Sequence, residues 1–317
     1  METTAQVEID GQYRALREEA GFMDRSDRGK VLVSGADAVE YLQGQLTNDI
    51  EALEADQGCY SALLDRKGHM QGDMRVLRLS NGETWIDTEQ EPLERVLRHL
   101  RTYSLGREVE IEDASEGWAI TSVIGPASAE AVGIAAPVPE HAQRYLEHEG
   151  IEILAVATDL GLDLIVRSDH ADAVRRLLVG SGAVEASPEA AEIVRVESGR
   201  PRYGREMTQR TIPQEAGITE RAVSFTKGCY IGQETVARLH YKGRPNRQLR
   251  GLCLSAPARH GDPVRLGDRD LGEIGTAVVS PARGPIALAI VRREAEPGAT
   301  VLVGEGTEAA VVEVPFR

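Results

Sequence analysis

At 317 residues the chain exceeds the size at which one hydrophobic core usually stops growing, so a large domain with a small appended one is expected. Its formal net charge of -15, from 36 Lys plus Arg against 51 Asp plus Glu, repels a phosphate backbone and argues against nucleic acid as a general partner. No apolar run is long enough for a membrane span, the N-terminal METTAQVEIDGQYRALREEAG lacks the pattern of a leader, and three cysteines without a CxxC pair suggest neither disulfides nor a metal site, so a cytoplasmic protein with reduced thiols is expected.

In chain order, YRALREEAGFMD has helical spacing, GKVLVSG reads as a strand and ADAVEYLQGQL as a helix. GCYSALLD and HMQGDMRVLRLS read as paired strands, and Asn81-Gly82 marks a hairpin into ETWID. Pro92 stands in the first turn of a helix whose Leu93, Val96, Leu97 and Leu100 share a core-facing side. WAITSVIG, IEILAVAT and LDLIVRS read as strands, GPASAEAVG and DHADAVRRLLVG as helices, and Ser187-Pro188 starts a further helix that stops at Gly199. Beyond about Arg244, short β-type runs separated by Gly, Pro and Asp favour a small barrel or sandwich. GCY occurs at Gly58 and again at Gly228, in different surroundings.

The stretch SFTKGCYIGQETVARLHYKG carries the sharpest chemical signal. A helix beginning near Gly232 would place Cys229 just before a helix N-terminus, and Lys227 adds positive charge. Both lower a thiol pKa from its reference of roughly 8.5, so Cys229 is a candidate reactive thiol, against the alternative of a small buried side chain. Cys59 and Cys253 lie in strand-like apolar runs and read as structural. Two basic groups interrupt an acidic chain: Arg195, Arg200, Arg202, Arg205 and Arg210, then Arg238, Lys242, Arg244, Arg247 and Arg250. They fit either solvated surface or an anionic ligand.

Lys227, Gly228, Cys229, Tyr230, Gly232, Gln233 and Glu234 match the K-G-C-Y-x-G-Q-E signature of the YgfZ-type folate-binding proteins, and RVESGRP and TIPQEA match their neighbouring elements. The chain thus resembles a branch of the glycine-cleavage T-protein (aminomethyltransferase) superfamily, whose N-terminal elements VSGADAVEYLQGQLTNDI and LLDRKGHMQGD are similar to. The resemblance implies an α+β fold: a bilobal folate-binding domain over 1–245 and a small C-terminal β-barrel over 246–317. It also implies tetrahydrofolate or a one-carbon derivative as ligand, with Asp163 toward the pterin, arginines from 195 to 205 (Arg195, Arg200, Arg202) toward the glutamate tail, and Tyr230, Gln233 and Glu234 at the cofactor.

The function it implies is an accessory role in iron-sulfur cluster assembly or repair, with assembly proteins or client enzymes as partners, built on Cys229 and Lys227. The alternative is a folate-dependent aminomethyl or methyl transferase in which Asp73 acts on a one-carbon adduct. T-protein has an Asp-Asp pair where this chain has Gly72-Asp73, and its G-Y-T-G-E segment is reduced here to ATDLGLD, which disfavours glycine-cleavage activity itself.

Overall fold

A computed structural model describes residues 4–317. Packing divides the chain into two units: one takes residues up to Leu64, Gln71–Ala190 and Arg221–Ile231, the other Asp65–Met70, Ala191–Glu220 and Gly232–Arg317.

In the first unit, period-two alternation decides which side chains meet. Along the strand Met70–Arg78, Met74 and Val76 enter a core with Tyr41, Leu42, Val96 and Leu100, while Asp73, Arg75 and Leu77 point to the opposite face. The strand Thr84–Thr88 pairs with it antiparallel, setting Arg75 opposite Asp87 and Leu77 opposite Trp85, so these residues share that second face. The predicted hairpin joins the two strands, with Leu79 N donating to Glu83 O at 3.0 Å and Gly82 at φ 90°. Five strands form this sheet in the order Gly58–Leu64, Met70–Arg78, Thr84–Thr88, Gly29–Ser34, Glu110–Asp113. The helices Ala38–Gln45 and Gln90–Tyr103 cover its apolar face, with Pro92 buried in the first turn of the latter.

A six-stranded sheet follows the same logic in the order Val184–Glu185, Gly21–Asp24, Trp118–Ile124, Gly161–Arg167, Ile151–Thr158, Gln143–His148. Leu162, Leu164 and Val166 pack with Val174 and Leu178 of the helix Ala171–Gly180, and Asp163 and Ile165 turn the other way. Leu77 and Trp85 of the first sheet then meet Ile120, Leu154, Val156 and Ile165 of the second in one buried cluster. Trp85 and Trp118 pack edge to face at 5.5 Å. The unit is therefore two sheets stacked on an inner layer, with helices outside.

The second unit holds a closed six-stranded barrel, Arg247–Leu254, Gly284–Arg292, Arg269–Ser280, Pro263–Leu266, Thr300–Val303, Thr307–Val312. A barrel leaves no open edge, which suits strands this short. Phe316 closes an apolar cluster with Val196, Leu249, Ile286 and Leu288. A Cβ at Gly251 would come within 2.8 Å of the Phe316 ring, which explains a glycine inside that strand. The helix Gln233–Lys242 starts after Gly232 as expected and runs past Leu239.

Three local expectations change. The helical run through GFMD stops at Glu18, and Gly21–Asp24 is a strand paired to Trp118–Ile124, because Phe22 is drawn into the sheet core. GPASAEAVG gives only one turn, Ser128–Ala131. Gln143–His148 is a strand that alternation alone does not announce, since its exposed edge position leaves most of its side chains polar. Among the described residues no helix is long and apolar enough to cross a membrane.

Arg75 spans the inner layer: it is 7 % exposed and bonds Asp87 of its own sheet and Asp163 of the other. Replacing it with Met takes a guanidinium from two buried carboxylates, so the first unit should lose about 3–5 kcal/mol in urea unfolding. The two tryptophans, Trp85 and Trp118, both lie in that unit, so their fluorescence reads its unfolding directly. A loss below about 1 kcal/mol, the size of a surface ion pair, would show that Arg75 does not hold the sheets together.

Candidate functional site

The inward face of the first unit carries a connected set of charges. Arg75 Nε donates to Asp87 Oδ2 at 2.7 Å and its Nη1 to Asp163 Oδ2 at 2.6 Å. Asp87 also accepts from Trp85 Nε1 at 3.1 Å and, on its other oxygen, from Arg28 Nε at 2.9 Å. Arg28 reaches on to Glu89, which also holds Arg25 at 3.0 Å. Burial alone would raise the Asp87 pKa, but Arg75 and Arg28 outweigh it and hold the carboxyl well below the usual range.

Asp73 lies two residues before Arg75 on the same face, and its environment runs the other way. Burial dominates and pushes its pKa up to about 6, with Glu89 adding to the rise and the Tyr60 hydrogen bond and Arg28 opposing it. Tyr60 donates its hydroxyl to Asp73 Oδ2 at 2.6 Å, and burial together with the Asp73 charge keeps that phenol protonated far above its ordinary range. Arg221 lies over the Tyr60 ring at 5.2 Å and pairs with Glu140. Asp73 Oδ1, Arg75 Nη2 and His141 Nδ1 are buried with no hydrogen-bond partner. Burial and the Arg75 charge push His141 down to about 4, so its ring is neutral at neutral pH.

This is a carboxylate that changes protonation near neutrality, fixed on one oxygen by a phenol and open on the other. A pterin offers amino and ring N–H donors and ring acceptors, which suit an unpaired carboxylate oxygen and an unpaired guanidinium N–H on one strand face. The residues present fit a reduced folate on that ground.

The structure distributes the residues expected from sequence as follows. Asp73 is at the centre. Asp163 bonds Arg75, but both its oxygens are engaged, Oδ2 by Arg75 and Oδ1 by Ser122 Oγ at 2.5 Å, so the unpaired acceptor belongs to Asp73 instead. Lys227 is buried and its ammonium donates to the carbonyls of Gln43, Leu46 and Asn48; its charge acts on Asp49, Cys59 and Glu51. Tyr230 is buried with its ring 5.2 Å from that ammonium, and burial pushes its phenol up to about 12. Cys229 is exposed.

Gln233 and Glu234 form the first turn of the helix Gln233–Lys242, in the second unit, so the unit boundary falls inside the signature. Arg195, in that unit, is spent on Glu192 at 2.8 Å, Glu206 at 3.1 Å and Thr276 at 2.9 Å, and Arg202 also pairs with Glu192 at 3.2 Å. Arg200 lines a cavity of about 450 Å³ with Gln214, Gln248 and Arg250. Cys59 packs against the helix-covered core and burial pushes its thiol up to about 12, as a structural residue should, whereas Cys253 is exposed on the barrel.

Tyr60, Arg28, Arg75, Asp87, His141 and Arg221 escape a reading of the sequence. A signal was present for two of them: Arg75 and Asp87 sit at alternate positions inside apolar strands, where an inward charge demands a partner. The first GCY, at Gly58, contains Tyr60.

The raised Asp73 pKa fixes a sign for stability. Its folded value near 6 exceeds its reference of 3.8, so its contribution favours folding in full below about 3.8 and is lost as pH rises through about 6. Comparing wild type with Asp73→Asn by urea unfolding, wild type should lose ground to the variant between pH 4 and 7, by up to about 3 kcal/mol. A wild type that gains on the variant over that interval would place the Asp73 pKa below its reference.

Comparison with known proteins agrees with this architecture. The model of the GCVT N-terminal domain matches residues 2–227. An aminomethyltransferase of Rubrobacter xylanophilus is 31% identical over 321 residues, covering 97% of this chain and 86% of the relative, and one of Thermus thermophilus is 29% identical over 321 residues, covering 96% and 89%. The crystal structure of glycine cleavage system aminomethyltransferase T from Bartonella henselae superposes with a TM-score of 0.86 at 22% identity, covering 98% of this chain and 89% of that one, and shows the same fold. With more than half its length matched by the domain model and an aminomethyltransferase 31% identical along nearly all of it, the chain belongs to the GCVT family, the superfamily of the T-protein.

Proposed function

We propose that this protein binds a reduced folate at the Asp73–Tyr60 site and acts there on a one-carbon unit, aminomethyl or methyl, with Asp73 as the proton acceptor. The carrying observation is a buried carboxylate with a pKa near 6, one oxygen held by Tyr60 and the other open. The aminomethyltransferase names of its relatives support the same reading. It favours the transferase over the accessory role that the signature suggested first. The single carboxylate at Gly72-Asp73 and the reduced ATDLGLD segment argue that the one-carbon donor differs from that of glycine cleavage.

Because the ionised carboxylate does the work, transfer should rise with pH and level off above about 6. Calorimetry should show tetrahydrofolate binding to wild type and weaker binding to Asp73→Asn, by about 10- to 100-fold, the worth of one charge-assisted hydrogen bond. Absence of binding at millimolar ligand would remove the proposal.

A second reading rests on one observation, that Cys229 is exposed within the K-G-C-Y-x-G-Q-E signature: a folate-binding accessory protein for iron-sulfur cluster assembly or repair, acting through that thiol. In a strain lacking the protein the two readings predict opposite results. The transferase requires Asp73 and tolerates Cys229→Ala; the accessory role requires Cys229, with activity of cluster enzymes as the readout.

A further inference from the structure

Lys227 belongs to the signature, and its ammonium is spent on backbone carbonyls, with burial lowering its pKa to about 8. It is 9% exposed, and its ammonium donates to Gln43 O, to Leu46 O at 2.7 Å and to Asn48 O at 2.9 Å. An ammonium has three N–H donors, and all three are used. The acceptors lie at the end of the helix Ala38–Gln45 and in the turn beyond it, where carbonyls lack intrahelical partners and the helix dipole is negative. Below the cage lies the Tyr230 ring, 5.2 Å away.

The turn so held has its own outward contacts. Asn48 Nδ2 donates to Tyr60 O at 2.8 Å and to Arg221 O at 3.0 Å. Thr47 Oγ1 donates to Ala222 O at 2.6 Å and accepts from Ala62 N at 2.9 Å, while Ser224 N donates to Thr47 O at 3.0 Å. Tyr60 donates its hydroxyl to Asp73, and Arg221 lies over the Tyr60 ring. A single turn thus fixes the backbone of the phenol that binds Asp73 and of the arginine over that phenol.

We propose that Lys227 is a positioning residue for the Asp73 site: its ammonium, seated in a three-carbonyl cage, fixes the turn at residues 46–48 that holds Tyr60 and Arg221 in place. Removing the ammonium leaves three buried acceptors without donors, and the turn relaxes to hydrate them. Tyr60 and Arg221 move with it and water reaches Asp73. Burial is the largest influence on that carboxyl, so its relief lowers the pKa. The inference rests on Asp73 as the working carboxylate.

The test is the titration of the Asp73 carboxyl by carbon-13 NMR, without folate, in wild type, Lys227→Met and Asn48→Ala. Wild type should show a midpoint near 6, and both variants a midpoint lower by about half a unit or more, toward 3.8. Adding n-propylammonium to Lys227→Ala should return the midpoint toward that of wild type, since a free ammonium can refill the cage. Folded Lys227→Met with an unchanged midpoint overturns the proposal. Should that variant not fold, an unchanged midpoint in Asn48→Ala does so, because Asn48 is the link from cage to site. A shift that alkylammonium fails to reverse assigns the effect to lost packing and also overturns it. The titration needs no ligand, so its failure is separate from a failure of folate to bind in calorimetry.

Discussion

Arg75 is placed between two carboxylates that come from different sheets, Asp87 at 2.7 Å and Asp163 at 2.6 Å, and the site follows from that choice of partners. A buried guanidinium is tolerated only when paired on more than one side, so its presence fixes how the two sheet faces meet. Register puts Arg75 directly across from Asp87, and Arg28 arrives from the loop before the neighbouring strand to take the other Asp87 oxygen. With both arginines committed, Asp73 is left on the same face with burial, a nearby Glu89 and a phenol. Two aspartates on adjacent strands of one sheet are thereby driven apart, one held ionised and the other poised near 6. The same competition that secures the fold leaves Asp73 with its raised pKa.

Much of the architecture was legible because it follows from short-range pattern. The barrel strands announced themselves as apolar runs between Gly, Pro and Asp, the Asn81-Gly82 hairpin by its turn chemistry, and the helix Gln90–Tyr103 by its apolar stripe behind Pro92. What failed was local preference overruled by pairing, as at Gly21–Asp24, where helical spacing yielded to a place beside Trp118–Ile124.

The site was far less legible. Asp73 was found through resemblance, and its meaning needs Tyr60, thirteen positions upstream on a paired strand, and Arg28 and Glu89 from other segments. The Arg75–Asp163 bond joins residues 88 positions apart, and no spacing rule predicts it. Sequence places the charge of Lys227 two positions from Cys229; in the structure its long side chain crosses to carbonyls some 180 positions earlier, with separations of 184, 181 and 179. The resemblance turns Arg195 and Arg202 toward a glutamate tail, and in the structure Glu192 and Glu206 pair with them from within the same segment.

If the unpaired oxygen of Asp73 receives the polar edge of a reduced folate, a crystal structure of the protein with tetrahydrofolate will show a pterin N–H within hydrogen-bonding distance of Asp73 Oδ1, with Tyr60 still on Oδ2 and Arg75 still bonded to Asp87 and Asp163. A pterin bound elsewhere, such as in the cavity lined by Arg200 and Arg250, with Asp73 untouched, would contradict it.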